Sequence, residues 1–174
     1  MKDGFFIVFS ILHENGNVSV QGQIREGNLV GEWIWYDEKG NNKEKWSFYK
    51  KDPYNSWLPE RVNFETYHDN GKVYIEGSFS GSTVNYGVVR SSGWEQRNDE
   101  GKLIKEHSYG WYKKDGNLYN YRSNIWKVFN EDGNIEHHHE YGDKGENNKS
   151  QIISTNCRDN YGCKDPEWYH DLDL

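Results

Sequence analysis

The feature that most constrains this chain is a short turn that keeps returning. Six four-residue segments share one chemistry: ENGN at 14–17, EKGN at 38–41, DNGK at 69–72, DEGK at 99–102, KDGN at 114–117 and EDGN at 131–134. Each has glycine third and Asn or Lys fourth. The glycines Gly16, Gly40, Gly71, Gly101, Gly116 and Gly133 are spaced by 24, 31, 30, 15 and 17 residues, and the last two gaps together make 32. Glycine supplies a positive φ without steric cost, which is what a tight β-hairpin turn demands. A period of this kind marks a repeat architecture.

The residues after each turn alternate as a strand with one apolar face does. Val18, Val20, Gly22 and Ile24 follow Gly16, and Val73, Ile75, Gly77 and Phe79 follow Gly71 in the same frame. Weaker copies are Leu103, Lys105, His107 and Tyr109, then Ile135, His137, His139 and Tyr141; after Gly40 the frame gives Asn42, Glu44, Trp46 and Phe48. The partner strand is LVGEWIWYDEKG, in which Leu29, Gly31, Trp33 and Trp35 share one face and Val30, Glu32, Ile34 and Tyr36 the other. Trp94, Trp111 and Trp126 stand five to seven residues before a turn glycine and read as later versions of it. Frequent glycine and β-formers at alternate positions oppose helix. The expectation is an all-β protein in which successive antiparallel hairpins form one elongated, twisted sheet over residues 1–145. A loop is expected at 51–60, between Pro53 and Pro59, and a non-repeat cap or loose tail over 146–174.

Composition narrows the chemistry. Aromatics make up 16% of a chain that is only 33% apolar overall. Such a chain relies on large flat rings for its contacts, and rings with polar edges suit a thin structure. The formal net charge of -7 argues against phosphate-led nucleic-acid binding, which needs clustered Lys and Arg. It favours a basic protein partner, because complementary fields speed encounter. No span approaches 18 apolar residues, so no transmembrane helix is expected, and a protein is expected as the partner rather than a membrane. The stretch FFIVFSIL at 5–12 resembles a short signal core, but Asp3 and Gly4 precede it and HENGN follows, so a buried strand is expected there. A cytoplasmic location is expected, or a periplasmic or secreted one if a signal once preceded the chain. Cys157 and Cys163 can pair in an oxidising compartment or remain thiols in a reducing one.

The motif order of residues 14–40, ENGNVSVQGQIREGNLVGEWIWYDEKG, is similar to the bacterial variant of the MORN repeat, with Gly16, Gly22, Gly27, Gly31, Trp33, Tyr36 and Gly40 in the pattern's places. The resemblance covers roughly residues 5–145 and degrades after the first unit. It implies stacked hairpins in one sheet. It also implies one of several roles: protein-binding scaffold, lipid-associated module, or bacterial antitoxin or immunity protein. Fold alone does not choose among these.

Other constellations are weaker. EHHHE at 136–140 puts His137 and His139 on one strand face, with His107 in matching register one unit earlier. Zinc wants three or four ligands, so no metal or other cofactor is expected. The turn carboxylates sit at wet tips, and no nucleophile-elbow, phosphate-loop or metalloprotease motif occurs, so no enzyme is expected. A one-layer sheet cannot hide every ring, and exposed Trp and Tyr are typical anchors. The expected partner-binding residues are Trp94, Trp111, Tyr112, Tyr119, Tyr121 and Trp126. The expected partner is a cognate protein toxin that the chain neutralises by direct binding, or another protein. The alternatives are a scaffold or membrane-peripheral module, and a glycan-binding aromatic surface.

Overall fold

A computed structural model describes residues 6–49, 61–82, 87–114, 117–141 and 152–157. All secondary structure in them is strand: β1 (Phe6–Leu12), β2 (Val18–Arg25), β3 (Asn28–Tyr36), β4 (Asn42–Tyr49), β5 (Arg61–Tyr67), β6 (Val73–Ser82), β7 (Gly87–Arg97), β8 (Leu103–Lys114), β9 (Asn117–Arg122), β10 (Asn124–Phe129), β11 (Ile135–Tyr141) and β12 (Ile152–Cys157). The strands form one open antiparallel sheet in chain order, with β9 beside β8 and β10 continuing past it. The expected fold is therefore present. The loop expected at 51–60 and Cys163 lie outside the described residues. Part of the segment set apart at 146–174 joins the sheet, since β12 pairs with β11.

Five of the six turns are built alike and lie along one edge. In each, the glycine N–H donates to the carbonyl three residues back, as in Gly16 to His13 and Gly71 to His68, at 2.9–3.0 Å. The residue opening the turn donates to the carbonyl four residues on. This is a three-residue hairpin loop closed by a left-handed residue, and the five glycines hold φ between 79° and 89°. The sixth turn, around Gly116, joins β8 to β9 at the opposite edge, and residues 115–116 lie outside the described residues. The 15- and 17-residue gaps are thus one period, split by a turn of the other kind.

Each turn on the shared edge reaches the next. His13 and His68 bring Nε2 within 3.0 and 2.9 Å of the carbonyls of Tyr36 and Arg97. Asn15 and Asn17 both donate to the Glu38 carbonyl, and Asn70 to that of Asp99. Lys43 pairs with Asp69 at 2.7 Å, an exposed contact. Asp37 caps its own turn by accepting from Asn41 and Lys39, and the Asn41 bonds hold its carboxyl below the usual range.

The core is a file of rings rather than a slab between two layers. Where β2 meets β3, Gln21 and Gln23 face Ile34 and Val30, so Gly22 stands against the three residues 31–33. That double bulge tips the Trp33 ring onto Gly22, where a Cβ would lie 2.1 Å from the indole. The same device recurs where β6 meets β7. Glu76 and Ser78 face Glu95 and Ser91, and Trp94 lies on Gly77, 2.2 Å from a would-be Cβ. Ring-on-backbone packing lets a thin sheet bury Trp94 to 1% exposure. Phe64 and Ile75 complete that cluster, with Trp46, Phe79 and Tyr109 against it. In the third hairpin His107 takes the glycine's place and stacks flat against Trp126, centroids 4.2 Å apart.

The sequence reading of β1 needs correction. Residues 6–12 are a strand, but not a buried one: Ile7, Val8, Ile11 and Leu12 are all exposed. Among the described residues β1 is the terminal strand of the sheet, and its one neighbouring strand is β2.

Candidate binding surface

Strand register sorts the side chains into rows that cross the sheet. On the ring-bearing face the central row runs Phe9, Gly22, then Trp33, Trp46, Phe64, Gly77, then Trp94, His107, then Trp126, His139. Beside it run Phe48, Val62, Phe79 and Arg90, continued by Tyr109 and Arg122. These two arginines make matching sandwiches. Arg90 lies over Trp94 (5.2 Å) and Tyr109 (5.8 Å) and donates to the Tyr109 hydroxyl. Arg122 lies over Trp126 (4.9 Å) and Tyr141 (5.7 Å) and donates to the Tyr141 hydroxyl. A guanidinium over an aromatic face is held by the ring quadrupole.

Burial pushes the His107 imidazole down to about 3, helped by the cations Lys105, Arg122 and Arg90. Charging the ring inside the ring file would cost it its hydration, so the imidazole that stacks on Trp126 is held neutral.

The opposite face carries the charges. Its central row reads Ser10, Gln21, Ile34, Lys45, Glu65, Glu76, Glu95, Glu106, Lys127 and His138. Four glutamates stand directly opposite one another on four adjacent strands. Like charges in that position repel, and three cations answer them. Lys45 pairs with Glu65 at 2.8 Å and Lys127 with Glu106 at 2.9 Å. The central two share Arg97, which contacts both Glu76 and Glu95. Burial and a hydrogen bond to Glu65 push the Tyr67 phenol up to about 12. Glu65, Glu76 and Glu95 also line a shallow cleft of about 320 Å³, with Arg61, Asn63 and Gly93 among its walls.

The six expected anchors divide. Trp94 and Trp126 are each 1% exposed and belong to the ring file, so they offer a partner no surface. Trp111 is partly buried on β8, opposite Asn120, and is not an equivalent of Trp94 or Trp126. Tyr112, Tyr119 and Tyr121 lie on β8 and β9, with Tyr112 opposite Tyr119 and Tyr121 opposite Gly110. His137 and His139 share a face as read, but Trp126 on β10 stands between His107 and His139. Among the described residues no three His, Cys, Asp or Glu side chains are grouped to hold a metal ion. No described helix is long and apolar enough to cross a membrane.

The glutamate row and Arg97 were missed in the sequence. The signal was there: each glutamate lies five residues after or six before a turn glycine, namely Glu65 and Glu76 about Gly71 and Glu95 and Glu106 about Gly101. No protein-family model matches the chain, and no curated protein matches it.

Proposed function

We propose that the chain is a MORN-like repeat protein that binds another protein without catalysing a reaction. In its most concrete form it is a bacterial immunity protein holding a cognate toxin inactive. One observation carries this reading. A sheet normally buries a face against a second layer, yet all twelve strands lie in a single sheet, and among the described residues no helix or second sheet covers the ring face. Trp35, Trp46, Phe48, Phe79, Tyr109 and Trp111 are only partly buried there. Trp, Tyr and Arg are the residues that dominate interface hot spots. The carboxylates of the other face give the field that speeds encounter with a basic protein.

The test is capture on the immobilised full chain, identification by mass spectrometry, and kinetics with the purified partner. Trp35→Ala, Phe48→Ala and Trp111→Ala are expected to weaken binding, the strongest by ~2 kcal/mol or more. Glu76→Gln with Glu95→Gln is expected to slow association and flatten its salt dependence, leaving dissociation nearly unchanged. If all three ring variants fold and bind as the parent does, the ring face is not the interface. A loss of binding confined to the glutamate variant places the partner over the cleft on the charged face.

A further inference from the structure

We infer that β1 is a self-association edge on which a second copy of this chain docks, strand to strand, about a twofold axis at Phe9. β1 ends the sheet, so among the described residues one of its two backbone edges has no strand beside it. Natural edge strands are usually blunted by charge, proline or a short span. β1 has none of these: its seven residues, FIVFSIL, include no charge and no proline. Its side chains are exposed on both faces, with Ile7 at 59%, Ile11 at 48% and Val8 at 67%.

Two observations select a second copy as the occupant. First, the strand is self-complementary about Phe9. Laid antiparallel on itself, it sets Ile7 against Ile11 twice, Phe6 against Leu12 twice, and Phe9 against Phe9, all with faces matched. A twofold contact needs this property and a general partner does not. The Phe9 row, already continued by Gly22 and Trp33, with Phe9 and Trp33 centroids 6.0 Å apart, would run unbroken from one copy into the other. Second, the two acidic chains would meet where the charged-face row is neutral. Ser10, Gln21 and Ile34 come first from this end, and the glutamates begin only at Glu65 on β5. Main-chain pairing at an open sheet edge is an established mode of association.

The experiment is analytical ultracentrifugation of the full chain over a wide concentration range, with circular dichroism as the folding control. The expected result is a monomer–dimer equilibrium that stops at two. Ile7→Glu with Ile11→Glu sets carboxylates against each other at both pairs and is expected to weaken the dimer by about tenfold or more. Ile7→Glu with Ile11→Lys sets opposite charges together in the same register and is expected to restore it. A parent chain that stays monomeric overturns the inference. So does growth beyond two, which marks a head-to-tail contact, or a parent dimer that the opposite-charge variant loses while folded.

Discussion

The β2–β3 and β8–β10 hairpins solve one packing problem with different parts. In the first, Trp33 lies on bare backbone at Gly22, its indole N–H donates to the Gln23 carbonyl at 3.1 Å, and its neighbours in the frame are Leu29 and Phe48. In the second, Trp126 lies on His107, its N–H donates to the equivalent Ser108 carbonyl at 2.8 Å, and Arg122 and Tyr141 take the places of Leu29 and Phe48. The indole hydrogen bond is common to these two hairpins. What lies beneath and above the ring is free to change, provided the pieces stack flat. The β6–β7 hairpin mixes the two, with Gly77 below Trp94 and Arg90 above it. There the equivalent carbonyl, of Ser78, accepts from the Ser91 hydroxyl instead, and Trp94 Nε1 has no hydrogen-bond partner among the described residues.

The largest effects should come from the rings. Trp94→Ala is expected to cost ~3–5 kcal/mol in chemical denaturation. Trp33→Ala should cost less, because Trp33 sits one hairpin from the open end and touches fewer rings. Equal losses would mean that the two hairpins are packed to the same degree and that the comparison misreads them.

Acid should separate the hairpins next. The folded chain holds His107 down at about 3, below the ordinary 6.5. Between those values the unfolded chain binds the extra proton, so stability rises with pH there and falls as acid is added. The slope from this group is at most about 1.4 kcal/mol per pH unit. The stability tied to the neutral imidazole is fully present above pH 6.5 and fully lost below 3, and outside that window the slope from this group vanishes. His107→Phe keeps a flat ring under Trp126 and is expected to flatten the melting-temperature profile across that window. A profile left unchanged would assign the acid sensitivity to other groups.

The smallest effect lies in the bulges. Gly31 holds φ at 66° and its equivalent Ser92 at 59°. A left-handed serine is strained where glycine is not, while glycine costs some unfolded-state entropy. Ser92→Gly should therefore stabilise by roughly 0.5–1 kcal/mol, and Gly31→Ser should destabilise by a similar amount, both read from denaturation midpoints. Matching signs would break the equivalence of the two bulges.

Much of this was legible because turn chemistry and alternation are local. The turn glycines and the strands that follow them could be placed from the residues alone, as could the shared face of Val18, Val20 and Gly22. The bulges were not legible, since Gly31 and Ser92 share a conformation but not a residue type. That blind spot misplaced the anchors. Trp94 and Trp126 looked exposed because nothing in the sequence says that Gly77 and His107 lie beneath them. Trp111 looked equivalent because its distance from Gly116 is similar, although that turn closes the other edge. The glutamate row needed cross-strand register, a non-local property, and it became countable only once the turns were known to stack.

The turn edge has a kinetic meaning. Among the described residues the contacts along it join one turn to the next, each strand pairs its backbone only with the strands beside it, and ring contacts reach one strand further. Opening the sheet in its middle exposes two fresh edges, whereas opening it at an end moves an edge that already exists. Unfolding under native conditions should therefore proceed by fraying inward from the termini. In the monomer, amide protons would exchange fastest in β1 and slowest around β6 and β7. The four glutamates and the shared arginine lie in that slow centre, so the charges held under the greatest mutual repulsion occupy the part of the chain that opens last.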